Sequence, residues 1–306
     1  MTRVSTVGNY SAVLANLLSA QQRQTEAGER VGSQKNGQDL KDYARNAEML
    51  TAMKSVATRV DGYIEQNKLV TERLATQDFA LSQHAASIDK SRQAISEALA
   101  LGRADNLMTE LEANFRTGVE SLNARYNGKY LFSGGQVNTP AVAASSFADL
   151  AGATDPLFQN DTFVSTSKVD DATVVTTGML ASDIGKAVMD DYKAIRDFDA
   201  VSGQAFSGPL TDGQRTFLQN ILKNFQTRYD EANQVVARNG LAQARVENVG
   251  ADLEARQTSL ASMMGDITDA DMAQAAVNLQ QAQISLQAAA QVFQTLRQSS
   301  LVNLLN

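Results

Sequence analysis

Hydrophobic residues in the first third of the chain recur at alternate steps of three and four positions. Such a sustained spacing is typical of a coiled-coil seam and predicts one long helix. A second apolar series follows a break near Gly102–Asp105, which predicts a helix–helix turn and an antiparallel pair. The long stripe runs through Met53, Val56, Val60, Tyr63, Asn67, Val70, Leu74, Gln77, Leu81, His84, Ile88, Ser91, Ile95 and Ala98, and the second through Leu107, Leu111, Phe115, Val119, Leu122 and Tyr126.

The last third of the chain carries a matching heptad pattern. Thr211 and Gln214 have the spacing of a capping box, so we predict that a helix begins there. Polar residues and a glycine interrupt its seam and predict a wetter stretch near the middle. The apolar positions are Leu218, Leu222, Phe225, Tyr229, Ala232, Val236, Val246, Leu253 and Leu260, and the interruptions are Asn239, Gln243, Gly250 and Gln257.

The middle of the chain has a different character. It contains all three prolines, which helix interiors exclude because proline lacks an N–H and clashes with the preceding turn. Strand-like runs and Gly/Pro turn signals alternate there, and Asp183–Phe198 predicts a short amphipathic helix. The prolines are Pro140, Pro156 and Pro209, and the strand-like runs are Tyr130–Phe132, Thr162–Val164 and Ala172–Thr176.

Together these patterns predict a mainly α protein. Its N- and C-terminal arms form a long antiparallel coiled-coil rod, and a small β-containing domain is inserted at the distal end. The predicted segments are 1–40, an N-terminal helix and loop; 41–128, the N-terminal rod helices; 129–210, the inserted domain; 211–265, the C-terminal rod helix; and 266–306, the C-terminal helix.

Both chain ends are rich in apolar and uncharged polar residues. No charged residue occurs between Met272 and Leu296 or between Val4 and Gln22. A solvated helix normally carries charges on its outer face, so we predict that one face of each end contacts the other end and the opposite face binds neighbouring subunits. The stripes are Val4, Val7, Leu14 and Leu18, and Met272, Ala275, Leu279, Ala282, Leu286, Ala289, Phe293 and Leu296. A single buried helix in an ordinary globular fold is the alternative.

The start of the C-terminal helix and its composition add two expectations. Thr268 and Asp271 have the spacing of a second capping box, and Asp269 and Asp271 suit the positive end of the helix dipole. The many glutamines of the segment would be costly in hydrocarbon, which disfavours a membrane span.

Composition excludes several function classes. The net charge of −7 and a pI of about 4.9 give no electrostatic reason to bind nucleic acid or anionic lipid. The absence of cysteine excludes disulfides and thiolate metal sites. The first residues lack the features of a Sec signal, and no apolar run is long enough for a spanning helix. We therefore expect neither a membrane partner nor a nucleic-acid partner.

Few residues suggest catalysis or cofactor binding. His84 is the single histidine and lies on the seam, so we predict a packed core residue rather than a base or ligand. The pair Gly134–Gly135 predicts a turn, because no phosphate-binding motif surrounds it. We expect the pairs Asp170–Asp171 and Asp190–Asp191 to be solvated and Met263–Met264 to fill the core. The sequence predicts no enzyme, no cofactor and no metal site.

Three motifs carry a family resemblance. The run Tyr126–Gly135, with its Tyr130, Leu131, Phe132 and Gly134, is similar to the passage where flagellin-type proteins leave their helical rod. The phrase Ile267–Ala273 resembles their C-terminal start, and the ending Ser300–Leu305, which includes Leu301, resembles their final tail. The chain thus resembles the flagellin superfamily and, through the Tyr130–Phe132 order, its hook-associated FlgL-type branch. The stretch 29–39 departs from the family, because the usual Ser–Gly and Asp–Asp phrase is largely lost.

The resemblance implies a structural role in the bacterial flagellum. It implies a ring of copies that joins the hook, through the hook-associated protein FlgK, to the flagellin filament. It also implies export without a Sec signal, an export chaperone, and chain ends that become ordered only on assembly. A divergent flagellin is the alternative within the family. A soluble coiled-coil adaptor is the alternative from another class.

Overall fold

The computed structural model describes the backbone of residues 2–201 and 203–305 and the side chains of residues 10–201 and 203–298. Most of these residues are helical. The helices are α1 (Thr2–Ser33), α2 (Ala47–Leu101), α3 (Leu107–Leu122), α4 (Ala181–Asp199), α5 (Asp212–Thr268) and α6 (Met272–Leu305). Short 3₁₀ helices lie at Leu40–Tyr43, Phe147–Ala151 and Asp155–Leu157.

The β structure consists of two small antiparallel hairpins between α3 and α4. In the first, β1 (Arg125–Tyr126) pairs with β2 (Lys129–Tyr130). In the second, β3 (Thr166–Lys168) pairs with β4 (Val174–Thr176), with Ser167 opposite Val175. The predicted class is confirmed: mainly α, with long helices and a small β-containing region in the middle of the chain.

The chain divides into two compact units. The terminal unit consists of Met1–Arg59 and Arg256–Asn306, and the central unit of Val60–Ala255. In the central unit α2 and α5 run antiparallel, because Leu99 meets Arg215 while Gln77 meets Asn239. In the terminal unit α1 and α6 run antiparallel, because the Tyr10 ring lies 5.4 Å from the Phe293 ring while Lys35 pairs with Asp269.

The core of the central unit surrounds the ring of Tyr192 on α4. The ring centroids of Phe115 on α3 and Phe225 on α5 lie 5.4 and 5.1 Å from the Tyr192 centroid. That of Phe147, in the 3₁₀ helix Phe147–Ala151, lies 5.8 Å from it. The contacts of Phe115 and Phe225 are edge-to-face and that of Phe147 is tilted. Such aromatic contacts add to the gain from burying aromatic area. The Tyr192 hydroxyl shares a 2.6 Å hydrogen bond with Ser91 of α2, so its polar end is satisfied. Four helices thus converge on one side chain.

The heptad seam predicted on α2 is confirmed over the central unit. Its members from Val60 onward are buried, apart from the half-buried Tyr63, although the set includes the polar residues Asn67, Gln77, His84 and Ser91. The predicted break also occurs, since α2 ends at Leu101 and α3 begins at Leu107. Gly102 has a φ of 65° there, a conformation that glycine adopts without strain.

Helix starts follow the sequence in one case and depart from it in another. Thr211 and Gln214 exchange the reciprocal hydrogen bonds of a capping box at the start of α5. The capping box predicted for Thr268 and Asp271 is wrong, because Thr268 is the last residue of α5. Asp271 alone caps α6 by accepting hydrogen bonds from the N–H groups of Ala273 and Gln274.

The middle region contains less strand than the sequence predicts. Thr162–Val164 is not a strand, and only Tyr130 of the run Tyr130–Phe132 belongs to one. The run is still well held, because the Leu131 N–H donates to Ala124 and the Phe132 carbonyl accepts from Ala181. These single bridges satisfy the backbone without a continuous ladder. The helix predicted at Asp183–Phe198 is present as α4.

Candidate assembly surface

Helices α1 and α6 pair through a line of small and half-buried residues. Ala20, Ala27 and Ala275 are the buried apolar residues of the pair, at 2%, 9% and 6% exposure. Small side chains at a helix crossing let the backbones approach closely. A methyl group added at Gly28 would lie 4.0 Å from Leu279, so α1 and α6 are already in contact there.

The predicted interface residues whose side chains are described divide into a half-buried and an exposed group. Leu279, Leu286, Phe293 and Leu296 are only half-buried on α6, and Phe293 contacts Tyr10 of α1. Leu14, Leu18 and Met272 are 37%, 57% and 39% exposed. Val4, Val7 and Leu301 lie outside the described side chains. That these residues bind neighbours stays a prediction.

The structure also exposes apolar residues that the sequence pattern did not select. Tyr10 is 44% exposed on α1, and Val277, Ile284 and Val292 are 56%, 59% and 52% exposed on α6. Tyr10, Leu14 and Leu18 follow one another at steps of four, so they share one face of α1. The spacing of seven between Val277 and Ile284 was a readable signal of a second stripe on α6.

These exposed stripes differ from an ordinary solvated surface. Isolated exposed hydrophobic residues are normal, but sets aligned on one helix face mark interaction surfaces. From Met272 to Leu296 α6 carries no charged residue, and the Ser285 hydroxyl donates within the helix, to the Gln281 carbonyl. A partner that covers this face would bury apolar area without desolvating an ion.

Three hydrogen bonds, called the clasp below, join residues Gln34 and Asn36 after α1 to residues 268–270 before α6. The Asn36 N–H donates to the Thr268 carbonyl over 2.8 Å, and its amide side chain donates to the Asp269 carbonyl over 2.8 Å. The Ala270 N–H donates to the Gln34 carbonyl over 2.9 Å. The loop after α1 and the link between α5 and α6 are therefore tied to each other by backbone bonds.

The aromatic run near the exit from the helices has a structural role. Tyr130, Leu131 and Phe132 are 9%, 5% and 0% exposed. Gly134 has a φ of 67°, and a methyl group there would collide with the carboxylate of Asp161. That carboxylate accepts the N–H groups of Gly135 and Phe163, which lower the Asp161 pKa. The predicted turn is confirmed, and Asp161 is the residue that stabilises it.

His84 is buried in the core, as its seam position predicts. Its ring Nδ1 lies 3.3 Å from the Gly118 carbonyl of α3. Burial lowers the pKa of His84 to about 4, although the Gly118 contact opposes that shift. The ring is therefore neutral near pH 7. Among the described residues no group of histidine, cysteine or carboxylate side chains could hold a metal ion.

Two other expectations need correction. Asp191 is not solvated: it is 7% exposed and accepts bonds from Asn224 at 2.8 Å and Arg228 at 3.0 Å. It faces inward because its neighbour Tyr192 enters the core on the same turn of α4. Met263 does not fill the core, since it is 50% exposed in the terminal unit. Asp170 accepts the N–H groups of Ala172 and Thr173 and so shapes the β3–β4 turn.

The described residues define a mainly helical protein whose terminal helices are partly apolar and lack charged residues over Val4–Gln22 and Met272–Leu296. Within them, no helix has both the length and the hydropathy that a membrane crossing requires. The N-terminal helical region of bacterial flagellin matches residues 4–137, and the C-terminal helical region of bacterial flagellin matches residues 222–305. The chain belongs to the flagellin family. It is a non-enzymatic structural component of the bacterial flagellum.

Solved structures share the fold at low sequence identity. A candidate flagellar hook-associated protein from Vibrio parahaemolyticus is 16% identical with a TM-score of 0.62, and the match covers 74% of this chain and 100% of that one. FlgL of Bacillus cereus is 14% identical with a TM-score of 0.55, covering 71% of this chain and 99% of that one. No curated protein sequence matches the chain.

Proposed function

We propose that this chain is the FlgL-type junction protein that connects the hook, through FlgK, to the flagellin filament. The observation that carries the proposal is the exposed apolar surface of α1 and α6. Tyr10 and Leu18 on α1, and Val277, Ile284 and Val292 on α6, are each more than two-fifths exposed on helices with few or no charges. Neighbouring subunits of a ring, FlgK and flagellin are the partners that would cover them.

The energetics favour such a role. Full burial of a valine, leucine or isoleucine side chain contributes about 1.5–3 kcal/mol. Five or six such residues per copy would offset the cost of ordering long helices when several neighbours surround them. The uncharged glutamines between them can exchange hydrogen bonds with a partner without desolvating an ion.

The predicted segments acquire roles in this proposal. Segments 1–40 and 266–306 form the assembly core, and segments 41–128 and 211–265 supply the stiff helices. Segment 129–210 faces outward. The protein is exported without a Sec signal, with help from an export chaperone, and resides at the hook–filament junction outside the cell.

Deletion of the gene tests the junction role. Loss of a junction protein leaves hooks intact and releases flagellin into the medium, because filament subunits then have no platform. Hooks that still carry normal filaments would rule the junction role out. Bare hooks without released flagellin would instead identify the chain as the filament subunit, the divergent-flagellin alternative.

A pair of matched substitutions tests the surface. Ile284→Asp places a charge on the exposed stripe of α6, whereas Leu241→Asp places one on α5, where Leu241 is 72% exposed. In a deletion strain we expect the Ile284 variant to be exported but to leave filaments unattached, while the Leu241 variant restores attachment. Equal loss of attachment in both variants would contradict the assignment of the interface to α1 and α6.

A further inference from the structure

A buried pair of amide side chains interrupts the apolar seam between α2 and α5. Gln77 of α2 and Asn239 of α5 are each 0% exposed. The Gln77 amide donates to the Asn239 side-chain oxygen over 3.1 Å. The Asn239 amide in turn donates to the Leu74 carbonyl and to Asp78, both over 3.1 Å. The two helices are thus joined by hydrogen bonds at one level of an otherwise mostly apolar contact.

This pair is not the most stable solution for a buried position. The side-chain oxygen of Gln77 is buried and accepts no hydrogen bond. A buried polar atom without a partner costs free energy that an apolar side chain of similar volume would avoid. Stability alone therefore does not account for the two amides.

The residues one heptad away from the amide pair show which other registers of α5 along α2 the pair disfavours. One heptad before Gln77 lies Val70, which packs in one cluster with Val246, one heptad after Asn239. Ala232 occupies the position one heptad before Asn239 and is also buried. If α5 slid by one heptad along α2, Gln77 would face Ala232 or Val246 instead of Asn239. Asn239 would face Val70 after a slide in one direction and His84 after a slide in the other. The Gln77–Asn239 hydrogen bond would be lost in both slides and Gln77 would be buried opposite an apolar residue, whereas most of the apolar seam would still meet apolar residues.

We propose that Gln77 and Asn239 set the register of α5 against α2. A single polar pair in a repetitive apolar seam selects one register at a cost in stability, because every other register leaves its hydrogen bonds unmade. The register decides where the region between α3 and α5 is held along α2. The inference concerns the central unit alone and does not depend on the junction role.

Hydrogen bonds between α2 and the β3–β4 hairpin are a second set of contacts that can fix the register, and the experiment must distinguish their effect from that of the amide pair. On α2, Gln66 donates to the Lys168 carbonyl over 2.8 Å and Asn67 donates to the Val169 carbonyl over 3.0 Å. These bonds tie the β3–β4 hairpin to α2. If they suffice to hold the register, removing the amide pair will leave the helices where they are.

The test measures register directly in the full chain. The chain has no cysteine, so Lys68→Cys and Glu254→Cys introduce two unique sites for spin labels on exposed faces of α2 and α5. With the amide pair intact we expect one distance between the labels. In the Gln77→Leu, Asn239→Leu variant we expect a second population shifted by about 10 Å, the length of seven helical residues. The same variant should unfold at a higher temperature.

Further variants show whether a change in the label distance comes from loss of the amide pair. Gln243→Leu replaces a half-buried amide outside the pair and should keep the single distance. The variant Gln77→Ala, Asn239→Ala repeats the test with small side chains that overfill nothing. A single native distance in the paired variants would overturn the proposal, and so would failure of both paired variants to fold, since the amides would then be needed for stability. Gln77→Leu alone should raise the unfolding equilibrium constant about 5- to 150-fold, because the buried side-chain oxygen of Asn239 then loses its hydrogen-bond donor.

Discussion

Both units contain long helices with apolar stripes, but the central unit buries those stripes almost completely and the terminal unit leaves part of them exposed. In the central unit, the seam of α2, apart from the half-buried Tyr63, and the core around Tyr192 reach 0–9% exposure, and ion pairs such as Arg116 with Glu112 occupy the outer faces. In the terminal unit, α6 keeps Val277 and Ile284 more than half exposed and carries no charged residue from Met272 to Leu296. Apolar periodicity therefore predicts that a helix forms. The charge on the remaining face predicts whether water or protein covers it.

The difference concerns energetics as much as composition. Four helices converge in the central unit, so its core is complete within one chain. The described part of the terminal unit has chiefly two helices packed against each other, and a helix pair leaves most of each apolar face unburied. The stability of the central unit should therefore respond strongly to core substitutions, while the terminal unit should respond mainly through assembly.

The largest contrast is expected from truncating an apolar side chain in each unit. Phe225→Ala removes a fully buried ring that packs edge-on against Tyr192 and should lower the free energy of unfolding by about 3–5 kcal/mol. Ile284→Ala on α6 should change it by less than about 0.5 kcal/mol in the monomer. Urea unfolding followed by circular dichroism measures both. A comparable loss from Ile284→Ala would remove the contrast.

A charge pair in each unit gives the next largest contrast. Arg228→Ala leaves the buried carboxylate of Asp191 with only Asn224 as partner and should cost about 2–3 kcal/mol, below the full loss for a buried pair because Arg228 is partly exposed. Lys41→Ala breaks the exposed pair with Asp39 in the terminal unit and should have no measurable effect. If the two variants have equal thermal midpoints, the Asp191 network does not stabilise the central unit.

Mild acid should destabilise only the central unit. The folded pKa of His84, about 4, lies below its unfolded value near 6.5, so the unfolded chain binds the proton more readily. The stability contribution of the neutral ring is complete above pH 6.5 and is lost as the pH falls towards 4, by about 2 kcal/mol at pH 5. Unfolding free energies of the wild type and of His84→Gln at pH 7 and pH 5 measure this. An unchanged pH dependence in the variant would assign the effect to other groups.

The smallest effect is expected at the clasp of the terminal unit. Asn36→Ala removes the side-chain bond to Asp269 but retains the backbone bonds, so the local cost should be about 0.5–1 kcal/mol. Hydrogen exchange of the Ala270 N–H should then accelerate two- to fivefold, by roughly the factor that this free energy gives. Gln38→Ala is the control, because in that residue the backbone N–H makes the bond to Asp42. Equal exchange in both variants would show that the side chain adds nothing.

Several features could be predicted from particular residues. The seam of α2, the break at Gly102, the start of α5 at Thr211 and the turn at Gly134 depend on short-range rules, because spacing, capping and positive φ act within one or two helical turns. The inward position of His84 followed from its place in the heptad. The missed stripe of Val277 and Ile284 was visible as a second spacing of seven.

Other features depended on contacts between distant segments. Asp191 could not be predicted as buried, because its partners Asn224 and Arg228 lie more than thirty residues away on α5. Thr162–Val164 has strand propensity but gains no partner strand, and β propensity is expressed only through pairing. The clasp of Asn36 with Asp269 joins residues more than two hundred positions apart.

The order of residues alone specifies long helices around a small β-containing middle, with stretches free of charge at Val4–Gln22 and Met272–Leu296. Local hydrogen bonding and the alternation of apolar and polar residues suffice for that, because each helix is specified within its own length. Which apolar faces are covered within one chain, and which remain exposed, depends instead on how the helices pack. Burial depends on how many helices meet at one place, and that number is a property of the packed molecule.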